Sequence, residues 1–377
     1  MKSIQMVDLH SQYLKIKQEI DNGIFSVIET SSFVKGGKVV DFQRNLEKYL
    51  DVKHVIPVAN GTDALQIALM SLGLKAGDEV ITPTFTFIAT AEVVALLGLT
   101  PVVVDVDFDT FCIDTQEVEK AITPKTKAIV PVHLFGQNAN MEEILKIARK
   151  HNLFVVEDAC QSMGSHYIFE NGEAKHSGTI GDIGCTSFFP SKNLGCYGDG
   201  GAIFTNNDVL AEKITMIANH GMKIRYYHDI IGVNSRLDSI QAAVLEAKLP
   251  HLDNYVKSRQ NAAHFYNEKF KDCKKVITPV TSSFSTHSFH QYTLKLVDVN
   301  REKLIENLKE RGIPAMIYYP IPLHLQKAYQ DARYKAGDFP VSEHLSQCVA
   351  SLPMHTELDN EQLNHISENF LKIIADC

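Results

Sequence analysis

The most specific chemical signal in this chain is a lysine in a glycine-rich loop. Lys192 lies within the segment SFFPSKNLGCYGDGGA (187–202), directly after an apolar run that predicts a strand. A lysine amine can form a Schiff base when burial or neighbouring cations lower its pKa, and glycines allow tight turns and close approach of a ligand. The alternative is an exposed lysine in a turn, which is far commoner for a lysine taken at random.

A second signal is an acidic residue that follows a buried strand. Asp158 lies in VVEDACQS (155–162), where the apolar run ends. In an open α/β sheet, the carboxyl ends of the strands face the crevice where ligands bind. A carboxylate buried there needs a cationic partner, and a protonated pyridine nitrogen would be one. The alternative is an aspartate that caps the next helix or pairs locally.

A third signal is the start of a helix in ANGTDAL (59–65). The free N–H groups of a first helical turn favour an anion. Gly61 lets the backbone come close to such a ligand, and Thr62 adds a hydroxyl group. The alternative is a simple helix cap. Phosphate-loop, dinucleotide and nucleophile-elbow motifs do not occur. The spacings His287-x-x-His290 and His344-x-x-x-Cys348 have no accompanying ligand cluster, so we predict no metal site.

Strands and helices alternate around these residues. Glu79–Pro83, Val102–Val106 and Lys127–Val132 are short apolar runs typical of strands, whereas Thr62–Leu72 and Met141–His151 have helical spacing. This alternation indicates βα units and a parallel sheet. Continuous Val and Ile runs further indicate strands that are buried on both faces.

The pattern changes in the last third of the chain. His251–Lys271 predicts one long helix, Gln291–Val297 a strand and Asn360–Ile374 a last helix. We therefore predict an α/β fold with a mostly parallel central sheet in a large domain with an N-terminal arm, residues 1–250. A smaller α+β domain would span residues 251–377.

Composition narrows the class of function. Hydrophobic residues make up 45% of the 377 residues and charged residues 22%, which is ordinary for a globular protein. With a net charge of −8, no basic footprint for nucleic acid is visible in the sequence. Seven cysteines without a pairing pattern favour a reducing compartment. The most apolar stretch is too short to span a bilayer. We predict a cytoplasmic protein that binds neither nucleic acid nor membrane.

Taken together, these signals resemble the DegT/DnrJ/EryC1/StrS family of nucleotide-sugar aminotransferases, which are pyridoxal 5′-phosphate (PLP) enzymes of fold type I. The resemblance covers about residues 3–375. The segments that carry it are ANGTDAL (59–65), DEVITPTFTFIATAE (78–92), VPVHLFGQ (130–137), VEDACQS (156–162), SFFPSKNLGCYGDGGAIFT (187–205), GVNSRLDSIQAA (232–243) and YYPIPLH (318–324).

The resemblance implies roles in binding the cofactor ring. Lys192 would bind PLP covalently as a Schiff base and then act as a general base. Asp158 would bind the pyridine nitrogen and keep it protonated. Phe87 would stack on the ring, and Gln161 would lie near the ring hydroxyl group.

The resemblance also implies a phosphate site and a shared active site. Gly61, Thr62 and Ser187 would bind the cofactor phosphate. Asn234 would reach that phosphate from the other subunit, so the protein would work as a homodimer.

A third group of residues would lie on the substrate side. These residues are Arg236, Tyr318 and Tyr319, with Phe33 and Lys35 near the entrance. Several similar proteins have His-Tyr-Pro where this chain has Tyr-Tyr-Pro (318–320). This change falls in the expected sugar pocket and affects the identity of the sugar rather than the type of reaction.

The implied reaction is amino transfer from L-glutamate to a keto carbon of a nucleotide-linked sugar. The Lys192 loop is most similar to enzymes that act on UDP-2-acetamido-2-deoxy-3-oxo-glucuronate, a precursor for surface polysaccharide. The first alternative is a dTDP-3-oxo-6-deoxyhexose or UDP-4-oxo-sugar aminotransferase. The second is a non-catalytic regulator with the same fold, which would be expected to lack Lys192 or to carry a DNA-binding module.

Overall fold

The structure is a computed structural model that describes residues 3–329 and 331–377. The helices are α1 (Leu9–Lys15), α2 (Lys17–Thr30), α3 (Gly37–Leu50), α4 (Gly61–Ser71), α5 (Ala89–Leu96), α6 (Thr115–Ala121), α7 (Met141–His151), α8 (Asp208–Ala218), α9 (Ser239–Lys248), α10 (Leu252–Phe270), α11 (Arg301–Glu310), α12 (Pro340–Cys348) and α13 (Asn360–Ala375). The strands are β1 (His54–Val58), β2 (Glu79–Pro83), β3 (Thr100–Val104), β4 (Thr126–Ile129), β5 (Phe154–Asp158), β6 (His166–Ile168), β7 (Ala174–His176), β8 (Ile183–Ser187), β9 (Gly201–Thr205), β10 (Met222–Ile224), β11 (Tyr227–His228), β12 (Val276–Ile277), β13 (Tyr292–Leu296) and β14 (Val349–Leu352).

A seven-stranded sheet forms the centre of the larger part of the molecule. Its strand order is β1-β9-β8-β5-β4-β2-β3, and β9 is antiparallel to both of its neighbours while the remaining pairs are parallel. The fold class predicted from the sequence, α/β with a mostly parallel sheet, is therefore confirmed. Strands β5 and β8 lie side by side. Asp158, at the end of β5, is therefore close to the start of the Lys192 loop, which follows β8.

Helix α4 packs on this sheet through one apolar face. Leu65, Ala68 and Leu69 are buried in the same cluster as Val156 of β5 and Ile203 of β9. The helical spacing in the sequence predicts this face, and burial of each large aliphatic side chain contributes about 1.5–3 kcal/mol. The packing fixes the start of α4 next to the carboxyl ends of β5 and β8.

The smaller part has an antiparallel sheet of order β12-β13-β14, and its core includes residues of α10, α11 and α13. All three strands follow residue 251, but the boundary between residues 250 and 251 stays a prediction. The N-terminal segment packs with this smaller part, since Ile4 lies in its core and Met354 N donates to Met6 O at 3.3 Å.

Buried charged groups join the two parts. Asp105, just after β3, accepts hydrogen bonds from Val341 N at 3.0 Å and Ser342 N at 2.8 Å, in the first turn of α12. Lys295 of β13 donates to Phe108 O at 2.9 Å and pairs with Asp109 at 3.2 Å. These contacts hold the smaller part over the carboxyl edge of the large sheet.

Candidate active site

A cavity of about 710 Å³ lies at the carboxyl edge of the large sheet. The start of α4, the ends of β5 and β8, and the loop that contains Lys192 form its walls. Nine of the thirteen predicted site residues line it. They are Gly61, Thr62, Phe87, Asp158, Gln161, Ser187, Lys192, Tyr318 and Tyr319.

Asp158 is the last residue of β5 and is only 6% exposed. Its Oδ2 atom accepts a hydrogen bond from Thr90 Oγ1 at 2.8 Å, and Oδ1 accepts one from Cys160 N at 3.2 Å. These donors orient the carboxylate and leave it lining the cavity. Asp158 is therefore suited to bind a cationic group of a ligand.

The preceding carboxylate, Glu157, points away from the cavity because side chains alternate along a strand. It is fully buried and accepts hydrogen bonds from Ile180 N at 2.6 Å, Gly178 N at 3.1 Å and His133 Nε2 at 2.8 Å. His133 Nδ1 accepts from Ala139 N, so Nε2 is the protonated nitrogen that donates to Glu157. Glu157 therefore stabilises the structure on the face of the sheet opposite the cavity.

The first turn of α4 forms an anion site. Asn60 Oδ1 caps Asp63 N at 2.8 Å, whereas the N–H groups of Gly61 and Thr62 precede the first intrahelical hydrogen bond. A Cβ on Gly61 would lie 2.7 Å from Ser187 Cβ and 2.9 Å from Cys160 Sγ. The backbone at Gly61 therefore packs so closely against the cavity wall that a residue with a Cβ would clash. The free N–H groups of this turn form a cradle in which a phosphate group fits.

Lys192 lies in the loop between β8 and β9. Its backbone N–H donates to Phe189 O at 2.8 Å, and buried Lys248 donates from Nζ to Gly195 O at 2.8 Å in the same loop. Burial lowers the pKa of the Lys192 amine, although the nearby Cys160 and Asp158 act in the opposite sense. A larger fraction of the amine is therefore neutral and nucleophilic than at an exposed lysine.

The smaller part contributes two tyrosines to the cavity. Gln161 Nε2 donates to the hydroxyl oxygen of Tyr319 at 3.0 Å, while Gln161 Oε1 accepts from Phe135 N at 2.9 Å. The ring of Phe87 lies 6.3 Å from that of Tyr319. Burial raises the pKa of both Tyr318 and Tyr319, so both phenols are protonated at neutral pH and can donate hydrogen bonds.

The other four predicted residues form a second cluster outside this cavity. Lys35 Nζ donates to Asn219 Oδ1 at 2.9 Å, and Asn219 forms a bridge with Asn234. Burial and the positive charge of Arg236 lower the pKa of Lys35. Phe33, 46% exposed, accepts from Ser239 N in the helix that follows Arg236. One chain thus brings Phe33, Lys35, Asn234 and Arg236 together but does not place them in its own cavity.

Sequence analysis missed Thr90, which fixes the orientation of the Asp158 carboxylate. Thr90 follows Phe87 by three residues, but α5 begins only at Ala89, so no helical spacing links the two residues in the sequence. Asn60 was also missed as the cap of α4, although Asn is among the best capping residues.

Within residues 3–329 and 331–377, no helix is both long and apolar enough to cross a membrane. The same ranges contain no group of three or more His, Cys, Asp or Glu side chains arranged to hold a metal ion. All seven cysteines are described, and each is a free thiol.

A sheet of this topology that joins a lysine loop, a strand-end aspartate and a helix-end anion site is typical of PLP-dependent enzymes, the class that includes the aminotransferases. The chain belongs to the DegT/DnrJ/EryC1/StrS aminotransferase family, whose model matches residues 14–371. The resemblance noted from the sequence is thereby confirmed. The family depends on PLP, and its members include sugar aminotransferases.

Three relatives illustrate the range of similar proteins. The chain is 46% identical over 363 residues to the UDP-2-acetamido-2-deoxy-3-oxo-D-glucuronate aminotransferase of Pseudomonas aeruginosa, covering 96% of this chain and 98% of that one. It is 43% identical over 365 residues to the UDP-N-acetyl-3-dehydro-alpha-D-glucosamine 3-aminotransferase of Acidithiobacillus ferrooxidans, covering 97% and 96%. It is 46% identical over 368 residues to a pleiotropic regulatory protein of Geobacillus stearothermophilus, covering 97% of each chain.

The crystal structure of NtdA from Bacillus subtilis, solved with the cofactor PMP bound, is also similar. The two folds superpose with a TM-score of 0.90 at 32% identity, covering 100% of this chain and 86% of that one. The cradle at Gly61 and the buried Asp158 fit the phosphate and the protonated ring nitrogen of such a cofactor.

Proposed function

We propose that this protein transfers the amino group of L-glutamate to the C3 keto carbon of a UDP-linked 2-acetamido sugar, with UDP-2-acetamido-2-deoxy-3-oxo-glucuronate as the preferred substrate. The observation that carries the proposal is the meeting of Lys192, Asp158 and the α4 anion site in one cavity. The names of two relatives, 46% and 43% identical, support the UDP-3-oxo-sugar part. The product would serve surface polysaccharide synthesis.

The position of each residue in the cavity supports its proposed role. The N–H groups of Gly61 and Thr62, with Ser187, would bind the cofactor phosphate. Phe87 would cover the ring, and Asp158 would hold the proton on its nitrogen. When bound, the cofactor supplies an electron sink for the carbon that carries the amino group.

Lys192 and Gln161 would complete the site. The Lys192 amine would bind the cofactor between reactions and would carry a proton from one carbon to another while substrate is bound. Gln161 would position the ring hydroxyl group and, through Tyr319, connect the cofactor to the smaller part of the molecule. The Tyr318 and Tyr319 hydroxyl groups would donate hydrogen bonds to the sugar.

The cavity wall of one chain carries little positive charge for an acidic substrate. Among the described lining residues, Lys192 is the only Lys or Arg, whereas Asp63, Asp158 and Asp199 are acidic. A diphosphate and a sugar carboxylate need positive charge. We therefore propose that Lys35 and Arg236 of the other subunit of a homodimer supply it.

Exposed apolar side chains support the dimer. Phe33 is 46% exposed, Tyr226 76% and Ile231 85%, and the last two lie in the segment that leads to Asn234. Several large apolar side chains exposed on the same part of the chain are a feature of interaction surfaces. A second copy of the chain would cover them and bring Asn234 to the partner's phosphate site.

Mixed dimers test whether Asn234 acts across the interface. We expect Lys192→Ala and the isosteric Asn234→Asp, which repels a phosphate, to be inactive separately. After mixing and subunit exchange, one site in each mixed dimer keeps both residues, so about a quarter of the parental activity should return. The assay is glutamate-dependent amination of the sugar nucleotide. Mixed dimers that form but stay inactive would place Asn234 in the site of its own subunit.

A second prediction concerns the sugar carboxylate. Arg236 would bind it in a bidentate manner. Arg236→Ala should therefore lower kcat/KM for the 3-oxo-uronate ~30- to 1,000-fold, a loss of about 2–4 kcal/mol of transition-state stabilisation. The matching neutral sugar should lose far less. Arg236→Lys, which keeps the charge but not the fork, should fall between them. Equal losses on both sugars would make Arg236 a structural residue.

The substrate itself is tested with a panel of keto sugars. The purified protein is assayed with glutamate and one sugar nucleotide at a time, and the kcat/KM values of the sugars are compared. The panel contains UDP-3-oxo-glucuronate, a neutral UDP-3-oxo sugar, a UDP-4-oxo sugar and a dTDP-3-oxo-6-deoxy sugar. Preference for a dTDP sugar would favour the first alternative, which the 37% and 39% identity to two dTDP-sugar transaminases supports. No turnover with any sugar would favour the second alternative, a non-catalytic regulator. The Geobacillus relative supports that alternative, since it is named a pleiotropic regulatory protein.

The cellular location is proposed on separate grounds. Seven free thiols, four of them buried, fit a reducing compartment such as the cytoplasm.

A further inference from the structure

A buried polar segment adjoins the Lys192 loop. Asn193, the next residue after Lys192, donates from Nδ2 to Met163 O and to Ser288 O, each at 3.2 Å. Ser288 N in turn donates to Gly136 O at 2.8 Å. The chain from 288 to 290 is thereby fixed between the lysine loop and the start of β13.

Arg259 of α10 holds the same segment from the other side. It is 2% exposed, and Nη1 donates to Phe289 O at 3.1 Å, His290 O at 3.3 Å and Met354 O at 2.9 Å. Among the described residues no carboxylate pairs with it. Burial lowers its pKa to about 10, so it remains a cation at neutral pH without a counter-ion.

His290 is close enough to this cation and to Lys192 for both charges to act on it. It lines the cavity, is 5% exposed, and its buried Nδ1 has no hydrogen-bond partner in the part of the chain that the structure describes. Burial lowers the pKa of His290 well below its ordinary value, and the charges of Lys192 and Arg259 lower it further. The imidazole is therefore neutral and offers a lone pair on one ring nitrogen.

We propose that His290 is a positioning residue that accepts a hydrogen bond from the ammonium group of Lys192 whenever that amine is not bonded to the cofactor. A protonated amine has three N–H donors, so besides the Asp158 carboxylate it can use a second acceptor in this cavity, and the unpartnered ring nitrogen of His290 is one. The flexible lysine stem lets Nζ move between the cofactor and His290. The inference rests on the proposed role of Lys192.

The proposal fixes the sign of one measurable effect. A hydrogen-bond acceptor favours the charged form of an amine, so removal of the acceptor lowers the pKa of Lys192. The other charged or titratable groups that face Lys192 are Asp158 and the Cys160 thiol, and burial keeps the pKa of that thiol high. Neither group changes in the variants below.

The experiment measures the titration of Lys192 in the full-length chain after removal of the cofactor. Reductive methylation with formaldehyde and cyanoborohydride, which reduces the imine that forms, is followed at Lys192 by mass spectrometry from pH 6 to 10, since only the neutral amine reacts. In His290→Phe the midpoint should fall by about one pH unit, a tenfold rise in neutral amine. His290→Gln, which keeps an acceptor oxygen, should restore most of the parental midpoint.

His287→Phe is the matched control, because His287 is equally buried three residues earlier but does not line the cavity. Its midpoint should equal the parental one. If His290→Phe does not fold, as judged by thermal unfolding, His290→Leu replaces it. An unchanged or raised midpoint in a folded variant would overturn the proposal.

A separate labelling step distinguishes this failure from failure of the proposed function. PLP and borohydride are added to the parental chain, and the modified residue is identified. Modification elsewhere than Lys192 would refute the proposed role of Lys192. Modification at Lys192 with a midpoint that does not respond to His290→Phe would refute only the role of His290.

Discussion

Replacement of Lys192 by alanine is expected to lower kcat by at least about 10⁴-fold, because one amine serves both to bind the cofactor and to move the proton. The variant should fold, since the Lys192 backbone makes the loop contacts and its side chain faces the cavity. The measurements are turnover with glutamate and the yellow absorbance of the purified protein, which borohydride should bleach in the parent only.

Lys150→Ala is a suitable control for Lys192→Ala. Lys150 is exposed and pairs with Glu119 on the outer surface. Its removal should leave turnover and colour unchanged, since exposed ion pairs contribute about 0–1 kcal/mol of stability. Turnover of Lys192→Ala within tenfold of the parental rate would contradict the assignment.

Asp158→Asn is expected to reduce the glutamate half-reaction by about 2–5 kcal/mol of transition-state stabilisation, or ~30- to several thousand-fold. The amide has the size of the carboxylate but cannot balance a protonated ring nitrogen in a buried site. The rate is measured in single turnover by the loss of cofactor absorbance after glutamate is added. A parental rate would make Asp158 only a local hydrogen-bond acceptor.

Thr90→Val separates the charge of Asp158 from its orientation. This variant keeps the carboxylate and removes only the hydroxyl group that donates to it at 2.8 Å. We expect a smaller loss, near the 0.5–1.5 kcal/mol of an ordinary hydrogen bond. A loss as large as that of Asp158→Asn would mean that orientation, not charge, dominates.

Local patterns were sufficient for elements whose burial follows from their own sequence. Strand β2 and helix α7 begin and end at the predicted residues, Glu79–Pro83 and Met141–His151. Strand β3 was predicted at 102–106 but spans Thr100–Val104, because it lies at the sheet edge and tolerates Pro101. The antiparallel strand β9 pairs with β8, the strand before it, and with β1, far earlier in the chain, and a local pattern does not encode this pairing.

The candidate site divides in the same way. Lys192, Asp158 and Gly61 were identified because each follows a strand or begins a helix, and strand ends meet at one edge of a parallel sheet. The contact of Tyr319 with Gln161 joins residues 158 positions apart and needed the fold. Asn234 and Arg236 lie outside the cavity of their own chain, and their proposed place in the site of a second subunit is not encoded in any local pattern.

The two neighbouring carboxylates at the end of β5 also restrict where insertions and deletions in the chain are compatible with activity. Glu157 is enclosed by N–H donors on one side of the sheet, and Asp158 faces the cavity on the other. Loss or gain of one residue in the short turn between α7 and β5 would shift the strand by one position and exchange the two sides. Insertions and deletions that preserve activity are therefore expected in pairs there, or in the exposed turn at residues 170–173.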